Sequence, residues 1–113
     1  MRCPMKNTSL PFRLLLIAGL AASGIAAAAD PDVPAMMQKH GCNLCHSDRE
    51  TMAGPSWVDI AEAYRGKPRA EAKLVAVVKK GVHGGGPWPM PPLPEVPDAE
   101  AKQIVRYILR QKP

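Results

Sequence analysis

Two cysteines and a histidine stand in the order C-x-x-C-H at residues 42–46. This order and spacing is the signature of covalent haem attachment of the c type. The thiols of Cys42 and Cys45 would add across the two vinyl groups on one side of a porphyrin, and His46 would then offer an imidazole nitrogen to the iron. The motif therefore predicts one covalent haem c, held by Cys42 and Cys45, with His46 as an axial ligand of its iron.

An iron ligated by His46 on one face needs a second ligand on the other if the protein is to fill both axial positions. Residues 30–113 offer six further candidates, Met36, Met37, Met52, Met90, His40 and His83. The first two methionines and His40 stand too close before the motif to reach the opposite face easily, and Met52 follows His46 by only six residues. Met90 lies far along the chain in a stiff, proline-rich stretch between helices, so Met90 is the predicted second ligand. His83 is the alternative, because thioether and imidazole both bind haem iron.

The first 29 residues have the organisation of a secretory signal peptide. Three basic residues stand in the first 13 positions, an apolar and alanine-rich run follows at 14–29, and Asp30 comes directly after three alanines. This pattern predicts cleavage after Ala29 and export to the periplasm. The alternative is an uncleaved anchor, but the apolar run is shorter than the roughly 20 residues that a membrane-spanning helix needs. The predicted organisation is a signal peptide at 1–29 and one haem-binding domain at 30–113.

Cleavage at this position changes the composition from which function is judged. It removes 29 of the 113 residues and leaves 84, takes away Cys3 and three of the 15 Lys and Arg, and leaves 12 basic against 10 acidic side chains. The charge of +5 falls to a formal +2, which gives no argument for nucleic-acid binding. A domain of this size with four aromatic residues has little core of its own, and a haem would complete that core.

The motif residues allow two other interpretations, a zinc site and a thiol–disulfide site. Zinc needs about four ligands, and beyond the motif the 84 residues offer only His40 and His83 as further histidine or cysteine ligands. A thioredoxin-like C-x-x-C belongs in a βαβ context, and the chain has no alternating β pattern. Haem attachment is therefore favoured, and a thiol–disulfide protein using Cys42 and Cys45 is kept as an alternative.

The rest of the chain indicates four amphipathic helices joined by long loops. The predicted helices span residues 34–39, 57–64 and 71–80, and the last begins at Pro97. Asp32 and Ser56 are expected to cap the first two helices, and Gly81 is expected to end the third. The proline-rich run 87–94 lacks backbone donors at many positions and is not expected to join a sheet. The predicted fold class is all-α.

The sequence strongly resembles the short bacterial class I cytochromes c of the cytochrome c-551 (c8) group. The resemblance runs from about residue 32 to 112, and its anchors are the motif after Gly41, the pair Gly54-Pro55, the run 86–92 with its proline-flanked methionine, and the last helix with Tyr107. It implies a small class I cytochrome c fold at 30–113, with about four helices and long loops wrapped around one covalent haem, after a cleavable signal peptide. It also implies that the Pro55 carbonyl accepts a hydrogen bond from the ring N–H of His46. Gly41 and Tyr107 would mark the crossing of the first and last helices.

The loop before the methionine departs from the family pattern. Family members often carry a tryptophan shortly before the proline-flanked methionine, and some carry an arginine near the haem propionates. The place of that tryptophan falls here in the glycines 84–86, Trp88 stands between two prolines instead, and Val77 stands near the arginine position. Trp88 is therefore the residue of this loop that is expected to pack against the haem.

The resemblance implies an electron carrier and not an enzyme. It implies a soluble, monomeric periplasmic protein that shuttles single electrons between respiratory partners which it meets transiently. A membrane cytochrome complex would be the donor, and a nitrite reductase, a terminal oxidase or a cytochrome c peroxidase would be the acceptor. Two haem-based alternatives are a haem subunit of a larger dehydrogenase complex, and a haem sensor or peroxidase-like protein in which Met90 is labile.

Overall fold

The computed structural model describes residues 31–84 and 88–113. It contains four α-helices, α1 at Val33–Lys39, α2 at Trp57–Tyr64, α3 at Ala70–Lys80 and α4 at Asp98–Leu109, and a 3-10 turn at Cys42–Leu44. Those two ranges form no strand, apart from one isolated antiparallel pairing of Val82 with Met90, so the predicted all-α fold is confirmed. None of their helices is long and apolar enough to cross a membrane. The predicted signal peptide at 1–29 and residues 85–87 lie outside the described residues.

The first two helices begin where the sequence provides an N-cap. The Asp32 carboxylate accepts a hydrogen bond from the Ala35 N–H at 3.1 Å. At α2, the Ser56 hydroxyl accepts one from the Asp59 N–H at 3.1 Å, and the Asp59 carboxylate accepts one from the Ser56 N–H at 3.4 Å, which is a capping box. Both predicted caps are confirmed. Pro97 precedes α4 as its N-cap instead of being its first residue, a difference of the size by which helix ends commonly vary.

α4 lies at the centre of the helix packing and contacts the other three α-helices. Its buried face consists of Ala101, Ile104, Val105 and Ile108, at the spacing that an amphipathic helix requires. Ile104 and Ile108 form a hydrophobic cluster with Val33 and Met37 of α1 and Trp57 of α2. Met37 is only 2% exposed, so it fills the core, a role that suits the flexible methionine side chain.

Gly41 turns the chain from α1 into the cysteine motif. Its φ is +73°, in the left-handed region that residues with a side chain rarely adopt. A Cβ at this position would lie 3.5 Å from Leu44 Cδ1, which is an ordinary contact. The backbone conformation, and not a lack of space, therefore requires glycine here. Tyr107 packs, half-buried, against the cluster where α4 meets α1.

Two sets of charged side chains connect α4 to its neighbours. The Arg106 guanidinium donates hydrogen bonds to the Glu71 carboxylate of α3 at 2.9 and 3.0 Å. The Glu100 carboxylate lies 2.5 Å from His40 Nε2 and 3.4 Å from Lys39 Nζ at the end of α1. The bonds from Arg106 hold the pKa of Glu71 below its ordinary range, and the hydrogen bond with His40 does the same for the pKa of Glu100.

Glu71→Gln is expected to lower the stability of the protein slightly at neutral pH, because it removes the negative charge to which the Arg106 guanidinium donates two hydrogen bonds. A carboxylate whose pKa is depressed by folding stabilises the fold above its unfolded-state pKa, and this contribution is lost as the pH falls through the folded-state pKa. The difference from wild type should therefore be present at about pH 7 and shrink as the pH falls to about 3.

Urea unfolding of the purified protein at the two pH values measures this difference in the free energy of unfolding. Glu62→Gln, which removes an exposed carboxylate of α2, is the control. If Glu71→Gln differs from wild type in its free energy of unfolding by the same amount at both pH values, the charge of Glu71 is not what stabilises the contact with Arg106.

Candidate haem site

The C-x-x-C-H motif is folded into a tight turn beside an apolar cavity. Hydrogen bonds run from the Cys45 and His46 N–H groups to the Cys42 carbonyl, at 3.3 and 3.1 Å. The turn brings Cys42, Cys45 and His46 to line the same cavity. The three residues that the motif predicts for haem attachment thus share one site.

The His46 ring is oriented by three contacts with the residues that follow it. Its Nδ1 lies 2.6 Å from the Pro55 carbonyl oxygen, so Nδ1–H donates to that oxygen and the Nε2 lone pair is left for a metal. The ring stacks on Trp57, with ring centroids 4.5 Å apart and 25° between the planes. Gly54 passes so close that a Cβ would lie 2.8 Å from His46 Nδ1. The hydrogen bond that the family resemblance implies is therefore present in the structure.

Met90 reaches the same cavity from the loop between α3 and α4. Its carbonyl accepts a hydrogen bond from the Val82 N–H at 3.0 Å. This pairing is isolated and is not part of a sheet, so the prediction that the proline-rich run joins no sheet is confirmed for its described residues. Met90 is half-buried, whereas His83 is exposed and does not line either cavity. The structure places Met90, and not His83, in one cavity with His46.

The cavity is apolar and partly open. Together with the space that opens to solvent at its mouth, it measures about 810 Å³. Apart from Trp57 of α2, its helical walls are aliphatic: Ile60 of α2, Leu74, Val77 and Val78 of α3, and Ile104, Val105 and Ile108 of α4. A second, outer cleft of about 1,060 Å³ shares Cys45, His46 and Met90 with it. Two thiols, an imidazole and a thioether within aliphatic walls fit a large, flat, apolar group with iron at its centre, and so they fit a haem.

The described part of the chain provides no set of ligands for zinc. Residues 31–84 and 88–113 contain no group of three or more His, Cys, Asp or Glu side chains placed to hold a metal ion. His40, which would have been one of the additional ligands, is instead bonded to Glu100.

The loop residues that depart from the family pattern lie around the outer cleft. Trp88, which is predicted to pack against the haem, lines this cleft and is 70% exposed. Val77, near the family's arginine position, lines both cavities. Gly85 and Gly86 lie outside the described residues. The role of Trp88 stays a prediction.

Several contacts of the site are not predictable from sequence patterns. Gly54 is recognisable as part of a Gly-Pro turn and Trp57 as part of a helix face, but neither pattern places the two against His46. His40 lines the cavity, and the sequence suggests it only as a poor ligand candidate. Gly81 is recognisable as a helix stop, and its close approach to Met90 depends on the tertiary structure.

Comparison with known proteins decides the family. The sequence matches a family model described as "Cytochrome C oxidase, cbb3-type, subunit III" over residues 29–108. It is 44% identical over 75 residues to cytochrome c-551 of Allochromatium vinosum, covering 66% of this chain and 80% of that protein. It is 40% identical over 100 residues to cytochrome c-551 of Pseudomonas aeruginosa, covering 88% and 92%. The crystal structure of Nitrosomonas europaea cytochrome c552 matches with a TM-score of 0.67 at 36% identity, over 70% of this chain and 99% of that one. The chain is a small class I cytochrome c.

Membership in this family confirms the predicted cofactor together with the fold. The protein carries a covalently bound haem c, and Cys42 and Cys45 have the spacing that its attachment requires. Covalent attachment uses both thiols, so the thiol–disulfide alternative is no longer supported. The related cytochromes c are electron-transfer proteins, which is the class of function that the sequence predicts.

Gly54→Ala is expected to displace the His46 ring from Pro55 and Trp57, because the added methyl group overlaps the ring. Gly54 is not among the glycines with positive φ, so the substitution tests this overlap and not backbone strain. Overpacking of this kind costs about 1–3 kcal/mol.

Guanidinium chloride unfolding of the haem-loaded protein, followed by haem absorption and circular dichroism, measures the loss. Ala53→Ser, at the exposed neighbouring position, is the control. If Gly54→Ala has wild-type stability and an unchanged haem spectrum, Gly54 does not constrain the ring.

Proposed function

We propose that this cytochrome c is a one-electron carrier of the periplasm, with His46 and Met90 as the two axial ligands of its haem iron. One observation carries the proposal: His46 and Met90 come from distant segments and line a single apolar cavity together with both cysteines. His46 belongs to the turn before α2, and Met90 belongs to the loop between α3 and α4.

Each site residue has a defined chemical role in this proposal. The haem supplies a reversible one-electron change between Fe(III) and Fe(II). His46 donates its Nδ1–H to Pro55, which makes Nε2 a stronger donor and fixes the ring. Met90 offers a soft thioether, which favours Fe(II) and raises the reduction potential relative to a second imidazole. Because His46 and Met90 would together hold the iron, no substrate would reach it, and the expected activity is outer-sphere electron transfer and not catalysis.

The aliphatic walls of the cavity favour the same direction of the redox equilibrium. Side chains such as Leu74 and Val105 surround the site with a low-dielectric environment. Such an environment disfavours the extra positive charge of Fe(III). Together with Met90, these walls would raise the reduction potential of the haem, which suits a protein that accepts electrons from a membrane donor.

The proposal includes the location and the partners of the protein. Residues 1–29 act as a cleaved signal peptide, and residues 30–113 form the soluble, monomeric cytochrome c domain in the periplasm. A membrane cytochrome complex is the proposed donor, and a nitrite reductase, terminal oxidase or cytochrome c peroxidase is the proposed acceptor. Each docks transiently through a small interface, typically below about 1,200 Å² for redox encounters.

A second candidate function is a haem subunit held permanently in a larger redox complex. The description of the matching family model, which names a subunit of an oxidase, favours it. Size-exclusion chromatography of extracts from the source organism separates the two functions. A carrier elutes with the mass of a monomer, whereas a subunit elutes with its larger partner.

Met90→Ala is expected to keep the covalent haem but to lose the weak red charge-transfer band of methionine-ligated Fe(III). Alanine provides no sixth ligand, so the iron becomes high-spin and binds azide or carbon monoxide. Visible and near-infrared absorption of both oxidation states, with a pyridine haemochrome test, measures these changes. His83→Ala is the matched control and is expected to retain the band.

Unchanged low-spin spectra in Met90→Ala would remove Met90 from its role, and loss of the band in His83→Ala would assign the role to His83. Binding of azide or carbon monoxide by the wild-type protein at neutral pH would favour the sensor or peroxidase-like alternative.

Expression of the full sequence with a c-type maturation system should yield a periplasmic haem protein that begins at Asp30. The small residues at 27–29 form the expected cleavage site. Intact-mass spectrometry and cell fractionation measure the N-terminus and the location. Ala29→Lys, which should block cleavage, is the comparison variant. A full-length wild-type chain in the membrane fraction would instead support the uncleaved anchor.

A further inference from the structure

The Lys79 side chain connects the end of α3 to the segment that follows Met90. Its Nζ donates hydrogen bonds to the carbonyl of Pro94 at 3.0 Å and to that of Val96 at 2.5 Å. The same Nζ lies 3.1 Å from Asp98 Oδ1 at the start of α4, and only 26% of the side chain is exposed. The three ammonium hydrogens of lysine therefore have three acceptors, all between residues 94 and 98.

The segment between Met90 and α4 has few backbone donors of its own. Positions 91, 92, 94 and 97 are prolines, which lack an N–H. The Leu93 N–H reaches the Val78 carbonyl at 3.0 Å, and the Val96 N–H reaches the Leu93 carbonyl at 3.2 Å. Two further carbonyls take their hydrogen from Lys79, and one of them belongs to Val96, which is 1% exposed. A side-chain cation thus supplies the hydrogen bonds that backbone donors supply in other loops.

The C-terminal end of α3 also holds Met90 directly. The Val82 N–H donates to the Met90 carbonyl at 3.0 Å. Gly81 lies so close to the same stretch that a Cβ would be 2.5 Å from the Met90 oxygen and 2.7 Å from Pro92 N. The segment is therefore attached to the C-terminal end of α3 at two places. Met90 is bonded there directly, and residues 94–96 are bonded there through Lys79.

From this geometry we propose that Lys79 is a positioning residue for Met90, which limits how often the Met90 segment moves away from the cavity. The inference rests on the proposed ligation of the iron by Met90. Without Lys79, the bonds that join α4 to α3 and α1 remain, so the helices keep their packing. The Met90 segment then keeps only its bonds at Val82 and Leu93 and opens locally more often. An added ligand reaches the iron only in the open state, so its apparent affinity follows the open fraction.

The test compares Lys79→Met, Lys79→Arg and Lys80→Met in the full haem-loaded protein. Lys80 is exposed on the same turn, so its substitution removes the same charge without removing the bonds to residues 94–98. Imidazole, added to the oxidised protein, is the probe. Its affinity is expected to rise about tenfold in Lys79→Met and to stay within about twofold of wild type in Lys80→Met. Lys79→Arg, which keeps a cation and donors, should fall between them.

A second readout separates positioning from general stability. On heating, the red methionine–Fe(III) band should disappear earlier in Lys79→Met than in Lys80→Met, at temperatures where the helical circular dichroism is unchanged. If Lys79→Met does not accumulate, Lys79→Gln and Lys80→Gln give the same comparison, because both remove the charge and retain a polar side chain.

Equal imidazole affinity in Lys79→Met and Lys80→Met overturns the inference. Loss of the band together with the helices, with unchanged imidazole binding below that temperature, also overturns it, because Lys79 would then only stabilise the fold. A wild-type protein that lacks the band overturns ligation by Met90, and the inference fails with it. The wild-type spectrum therefore distinguishes failure of the proposed function from failure of the role of Lys79.

Discussion

The apolar cavity between α2, α3 and α4 is the constraint on which the rest of the structure depends. Its walls include Leu74, Ile104 and Ile108, and removal of such surface from water is the dominant favourable term in folding. Residues 30–113 have only four aromatic side chains, and haem c adds a large apolar group to this small core. The cofactor is therefore part of the hydrophobic core as well as the redox centre. The loops have only to bring ligands to a cavity whose shape the helices define.

The two proposed axial ligands are held in different ways. His46 is oriented by Gly54, Pro55 and Trp57, which follow it closely in the chain, so the loop that joins them costs little entropy to close. Met90 is held by contacts with the C-terminal end of α3, which exist only once α3 and the loop after it are packed together. The histidine side is thus defined by local structure, and the methionine side is defined by tertiary structure.

This difference explains how much of the site the sequence predicts. Asp32 and Ser56 cap their helices as expected, and the C-x-x-C-H motif forms one turn, because these features depend on neighbouring residues. The pairing of Val82 with Met90 and the bonds from Lys79 depend on where α3 ends relative to the proline-rich loop. No spacing rule contains that information, and the lysines at the end of α3 suit the helix dipole equally well.

The contacts that hold the helices together are not the contacts that hold Met90. Glu71 with Arg106, and Glu100 with His40, join α4 to α3 and α1, whereas the Met90 segment is attached through the end of α3. Loss of the contacts that hold the Met90 segment leaves the contacts between the helices in place. The segment therefore has a physical route to open without unfolding of the domain. In the proposed function, a few hydrogen bonds at one helix end would therefore separate a carrier that keeps Met90 on its iron from a haem protein that admits outside ligands. Family membership shows the fold and the cofactor, whereas the proposed positioning of Met90 depends on this chain's own residues at the end of α3.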